Sequence, residues 1–170
     1  MKSDAEKVSI SNIKIITRSG LLIALSAIGA MIKIQGTIAF DSMPGYFAAL
    51  FIGPTAGGFV AALGHLLTAI TSSFPLTVPL HLITALQMGL IAYIFGALSK
   101  KCNSIIVCSI AILLNGPIVT FISAMAAKAM GLPFSGIIMF TTLIIPLTIA
   151  SAANIILSYI IFKFMIKKGR

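Results

Sequence analysis

Asp41-Ser42-Met43-Pro44-Gly45-Tyr46-Phe47-Ala48-Ala49-Leu50-Phe51-Ile52-Gly53-Pro54-Thr55-Ala56-Gly57-Gly58 carries no charge after its first residue and has a Gly-Pro pair in its middle. Proline lacks the N–H that a continuing helix needs, and it pushes the residue before it out of the α region. Met43 to Ile52 therefore reads as one short helix and Ala56 to Ile70 as another, joined by a turn at Gly53-Pro54-Thr55. Asp41 or Ser42 suits the N-cap of the first helix, with Pro44 at or near its first helical position. The first helix is too short to cross a bilayer of ordinary thickness alone, since a span needs roughly 20 apolar residues.

The same apolar character runs outward through all 170 residues: 59% are hydrophobic and 9% charged, and the mean hydropathy is +1.13. A soluble domain carries roughly a quarter charged residues. The composition therefore excludes a soluble enzyme or binding module and predicts an all-α integral membrane protein forming one membrane domain over 1–170. The polar head 1–18 is expected to be cytoplasmic or interfacial and, lacking an apolar core, to carry no cleaved signal. Apolar helices are expected at about 19–32, 43–52, 56–70, 80–98, 104–127 and 137–162, six in all. Gly116-Pro117 and Pro146 fall inside the last two, where membrane helices tolerate proline if neighbours satisfy the freed backbone groups.

Charge orients this arrangement. Twelve Lys+Arg against three Asp+Glu give a net charge of +9. With six spans, Lys2, Lys7, Lys14, Arg18, Lys100, Lys101, Lys163, Lys167, Lys168 and Arg170 share one side, and only Lys33 and Lys128 lie on the other. The positive-inside rule makes the first side, with both termini, cytoplasmic. The net charge thus reflects topology and contact with lipid headgroups, not nucleic acid. Cys102 and Cys108 form neither a CxxC pair nor a disulfide framework and read as inert.

The groups capable of chemistry gather toward the outer side. Asp41 is the only acid after Glu6, and a carboxylate at the edge of an apolar bundle is costly unless it is paired or working. His65 lies late in the third segment and His81 opens the fourth. Thr84 follows one turn on, with Gln87 a turn further, and Asn115 and Asn154 lie at mid-depth in the fifth and sixth segments. Each of these polar residues could equally serve as an interhelical hydrogen bond, worth about 1 kcal/mol or less in membranes. Phe40, Tyr46 and Phe74 are placed near the same mouth, able to stack on a planar ring or to anchor at the interface. No catalytic signature, phosphate-binding loop or metal-ligand spacing is present in the sequence, so no catalytic residue and no bound metal or cofactor is expected. Small residues recur at helical contact spacing: Gly20 with Ala24, Ser26 with Ala30, and Ala27 between them. They are suited to internal packing or to a membrane partner.

The Asp41–Gly58 run resembles the second and third helices of the substrate-binding S components of energy-coupling factor (ECF) transporters, in which a short helix ending in Gly-Pro leads into a small-residue-rich helix. Chain length, helix number and terminal placement are similar as well. Gly64-His65-Leu66-Leu67-Thr68-Ala69, Phe74-Pro75-Leu76 and Pro79-Leu80-His81-Leu82 most resemble the S components assigned to α-ribazole, a nucleoside precursor of the cobalamin lower ligand. The resemblance implies a non-enzymatic subunit in a prokaryotic plasma membrane. Such a subunit captures a vitamin from outside and docks on a membrane T protein, which couples it to two cytoplasmic ATPases that use the ATP. The family docks through an Ala-x-x-x-Ala motif on the first helix; here Ala24 is followed four later by Ile28, and Gly20/Ala24 and Ser26/Ala30 are the nearest equivalents. For an α-ribazole site, Phe40, Tyr46 and Phe74 are expected to supply walls and Asp41 to accept from the ribose diol. His65, His81, Thr84, Gln87 and Asn115 are expected to complete the polar contacts, and loops 34–42 and 71–79 to act as the lid.

Two alternatives stay open. The same fold can serve cobalamin, pantothenate or another vitamin, although a single carboxylate and few cations near the mouth disfavour a strongly anionic ligand. A proton-coupled secondary transporter would use Asp41 or a histidine as relay, but the internal repeats common in that class are not seen. An intramembrane enzyme lacks a nucleophile and an acid–base pair.

Overall fold

The computed structural model describes residues 4–35 and 38–168. Helix α1 runs over Asp4–Gly29, and strands β1 (Lys33–Gln35) and β2 (Ile38–Ala39) form a small antiparallel hairpin. Helices α2 (Met43–Phe51), α3 (Pro54–Thr71) and α4 (Val78–Leu98) follow. Then come α5 (Ser104–Leu113), a π-helical turn over Leu114–Ile118, α6 (Val119–Ala129) and α7 (Gly136–Lys168). Lys2 and Arg170, counted in the charge bias, and residues 36 and 37 of the expected lid lie outside the described residues.

Several expectations about local structure change. Residues 4–18 of the expected head are not separate from the first apolar segment: no glycine or proline interrupts the chain between Asp4 and Arg18, and α1 runs through them. The helix stops at Gly29 rather than near residue 32, because the chain folds back there so tightly that a Cβ on Gly29 would collide with the carbonyl of Phe40. The all-α class stands, with a short hairpin added outside the helices, whose register pairs Lys33 with Ala39 and Gln35 with Ile38; the β-branched Ile34 and Ile38 suit a pleated ribbon. The last helix extends to Lys168, past the expected end at 162. At about 50 Å it exceeds a hydrocarbon core of ~30 Å, so its lysine-bearing end projects from the core or the helix tilts.

Five helical stretches among the described residues are long and apolar enough to cross a membrane: Ser11–Gly29, Pro54–Thr71, Val78–Leu98, Ser104–Ala129 and Gly136–Lys168. The expected second span, α2, is about 14 Å long and is packed among α1, α3, α4 and α7. Its separation from α3 follows the Gly-Pro break: Gly53 has φ +144°, a conformation that side chains disfavour, and Pro54 opens α3. The two helices then cross closely. A Cβ on Gly45 would lie 2.6 Å from the Ala61 Cβ, and one on Gly57 would overlap Ala49.

The bundle has two distinct ends. At one, the Cζ of Arg18 lies 5.3 Å from the centroid of the Phe51 ring, Gly96 of α4 meets Ala49 and Pro54, and α7 ends in Lys163, Lys167 and Lys168. An apolar core of Tyr46, Phe95, Val107, Ala111 and Ile155 fills this half. The other end carries the hairpin, the loop 72–77 and the loop 130–135. There a second cluster gathers Leu80, Ala124, Ala127 and Met139, with Leu76, Leu132 and Phe134 packed on it from the two loops. A cavity opens between the two clusters.

Candidate functional site

A cavity of about 240 Å³ lies below the second cluster. Most of its wall is apolar: Leu76, Leu80, Met88, Val119, Phe134, Met139, Leu143 and Leu147. Polar groups enter from two directions. On one side are Asp41 and Ser42 from the turn ahead of α2, His65 from α3 and His81 from the first turn of α4. On the other are Thr84 from α4, Asn115 from the π turn, Thr120 and Ser123 from α6, and Ser151 and Asn154 from α7.

Asp41 is 4% exposed. Its Oδ2 accepts a hydrogen bond from Thr68 Oγ1 at 2.6 Å. Burial pushes its carboxyl up to about 6, against the opposing pull of Thr68 and of the backbone N–H groups of Asp41 and Ser42. No lysine or arginine lines the cavity among the described residues, so the charge has no fixed counter-ion in the wall. Next to it, His65 Nε2 and His81 Nδ1 are 3.2 Å apart and the two rings are 5.4 Å apart between centroids. Across the cavity, Asn115 Nδ2 donates to Ser151 Oγ at 3.1 Å, while Thr84, Ser123 and Gln87 form a loose chain with 3.4 Å separations. Asn154 spans to α2: its Oδ1 accepts from the Met43 N–H at 2.8 Å, and its Nδ2 donates to the Ala150 carbonyl at 2.9 Å.

This arrangement departs from simple capping of α2. Ser42 occupies the N-cap position but makes no side-chain cap bond. The Met43 N–H is satisfied instead by Asn154 from α7, and Asp41 turns to Thr68. Asp41 thus reaches a neighbouring helix and lines the cavity.

Of the residues singled out from sequence, Asp41, His65, His81, Thr84 and Asn115 meet around this one space, although they come from four separate segments. Gln87 stands behind them, touching Ser123. The three aromatics do not line it. Tyr46 is buried in the opposite core with its ring edge-on to Phe95, 5.3 Å between centroids. Phe40 is half-buried beside Gly29. Phe74 stands one layer out, 5.7 Å from His81 and edge-on to it. Walls come instead from Phe134 and the aliphatic residues, and the covering loop at 130–135 was not among the expected lid segments. Thr68, Ser123, Thr120, Ser151 and Asn154 were not chosen as site residues. The signal for Thr68 was its helical spacing from His65, and for Ser151 and Asn154 a shared face of the last helix. Among the described residues no group of three or more His, Cys, Asp or Glu is placed to hold a metal.

On α1 the small residues divide. Ser26 and Ala30 are buried, Ser26 against Gly64 of α3, and Ala27 is half-buried. Gly20 and Ala24 remain exposed, with Leu21, Leu25 and Ile28 beside them. Of the two pairs, Gly20/Ala24 is the exposed one.

The family model described as ECF transporter, substrate-specific component, matches residues 14–166. The chain is an ECF S component. The match covers every element lining the cavity. Comparison with curated proteins and with solved structures found no match. S components are substrate-binding subunits of transporters and not enzymes. The family also places the chain in the plasma membrane as a multi-pass protein that associates with a T protein and ATPases in a transporter complex.

Proposed function

We propose that this S component captures α-ribazole from outside the cell for cobalamin salvage. The single observation that carries the reading is the mixed lining of a small cavity: one carboxylate, two imidazoles, several hydroxyl and amide groups, and an otherwise apolar wall without a cation among the described residues. A nucleoside with a flat apolar base and a hydroxyl-bearing sugar matches this division. Asp41 accepts from the ribose diol, Asn115, Thr84 and Ser123 take other hydroxyls, and the base lies among Leu76, Leu80, Phe134 and Leu143. The volume, about 240 Å³, is below the ~300–1,000 Å³ usual for drug-sized ligands, which disfavours the bulk of cobalamin. Pantothenate would bring a second carboxylate beside Asp41 with no cation to pair it.

In the same reading α2 serves as a sixth, short segment, both termini are cytoplasmic, and the hairpin end faces outside with the cavity. The exposed Gly20/Ala24 face of α1 docks on the T protein, and the two ATPases supply the energy for release inside. The test is uptake of radiolabelled α-ribazole by vesicles holding this chain with its T protein and ATPases. ATP-dependent uptake, absent when the ATPases are omitted, is expected. Uptake by the chain alone under a proton gradient would instead establish a secondary transporter and end the proposal.

A further inference from the structure

His81 lines the cavity from the first turn of α4 and is 4% exposed, and its Nε2 is buried with no hydrogen-bond partner among the described residues. Leaving such an atom unpaired in an apolar setting is unfavourable, and a buried polar atom without a partner calls for a reason. Its other nitrogen, Nδ1, faces His65 Nε2 at 3.2 Å. A bond there requires one hydrogen between the two nitrogens, from one donor and to one acceptor. With the hydrogen on His65 Nε2, both histidines hold the Nε2–H tautomer, which neutral imidazole side chains intrinsically prefer. The opposite direction forces both into the less favourable Nδ1–H form. The geometry therefore leaves His81 Nδ1 accepting and His81 Nε2 carrying a hydrogen to donate.

The surroundings define what such a donor can meet. Phe74 stands edge-on to the His81 ring at 5.7 Å, and Leu76, Leu80 and Phe134 line the adjoining wall. Groups suited to hydroxyls are Asp41, beside the histidine pair, and the Asn115–Ser151 pair across the cavity. We infer that His81 Nε2–H is the specificity contact for an acceptor nitrogen within the ligand's flat aromatic ring, and that His65 is the positioning residue that fixes its tautomer. This inference rests on the nucleoside reading of the cavity. It adds that the ring must carry an in-plane lone pair, so that an all-carbon edge of the same shape is rejected.

The experiment compares two ligands of one shape by calorimetry on the purified chain: α-ribazole, and the same riboside built on 5,6-dimethylindole, in which C–H replaces the ring nitrogen. The wild-type chain is expected to bind the indole riboside about tenfold or more weakly, because the donor is left unpaired. In His81→Phe the gap between the two ligands closes. In His81→Gln, whose amide N–H can stand in for the imidazole Nε2–H, a gap survives. His65→Phe narrows it without abolishing binding. Equal wild-type affinity for the two ribosides overturns the inference and leaves the nucleoside reading standing. A gap that persists undiminished in His81→Phe overturns the assignment to His81, and an unchanged gap in His65→Phe overturns the positioning role. Failure of α-ribazole to bind the wild-type chain defeats the underlying reading and this inference with it.

Discussion

At Asp41 the cost of burial and the use of the site meet in one side chain. The folded protein protonates this carboxyl near pH 6, whereas the ordinary value is 3.8. Between these two values the folded state binds more protons than the unfolded state, so this group's contribution makes stability fall as pH rises and level off above about 6. Lowering the pH from 7.5 to 5 should therefore stabilise the ligand-free protein by about 1 kcal/mol through Asp41, seen as a higher melting temperature in detergent. Asp41→Asn should remove that part of the pH dependence; an identical melting profile in the variant would show that Asp41 is not its source. Asp41→Ala should keep the fold and weaken nucleoside binding about tenfold or more, whereas an unchanged dissociation constant would remove Asp41 from the site. The buried position of Asp41 beside the cavity was legible because an isolated acid in an apolar chain has few inexpensive places. Its link to Thr68 was not, since that contact depends on how α3 is rotated against the turn before α2.

Among the elements, the Gly53-Pro54 break was readable because its cause is local: a missing N–H and a backbone angle. The rotation of α2 was not. Nearly every face of that helix is buried, so hydrophobic pattern gives no preferred side, and Tyr46 faces Phe95 instead of the cavity. The π turn at Leu114–Ile118 was equally hidden. Pro117 announced a disturbed helix, but only the packing of Gly116 against Thr148 shows how the turn is accommodated and where Asn115 emerges. Gly57 of α3 and Gly20 of α1 supply a paired test of which contacts hold the fold and which face a partner. Gly57→Val should destabilise the bundle by roughly 1–3 kcal/mol, because α2 leaves no room for a side chain. Gly20→Leu meets open space and should leave thermal stability unchanged while reducing co-purification with the T protein. Equal loss of stability in both variants would contradict the assignment of Gly57 to the packed interior and of Gly20 to an open face.

For the whole molecule, composition and charge were enough to establish a membrane bundle, since 9% charged residues cannot clothe a water-facing surface. They could not show that α2 is an interior element rather than an ordinary span. The proposed orientation has its own check: Cys102 is exposed in the α4–α5 loop at the cation-rich end, so a membrane-impermeant maleimide should label it only after cells are opened. Labelling in intact cells would reverse the topology. The central claim is that this S component holds an uncharged aromatic nucleoside in the cavity between its two core clusters. Equilibrium binding of radiolabelled α-ribazole to the detergent-purified chain tests it most directly. The account predicts saturable binding at one site per chain, undisturbed by excess pantothenate or cobalamin; absence of saturable binding, or displacement by pantothenate, would contradict it.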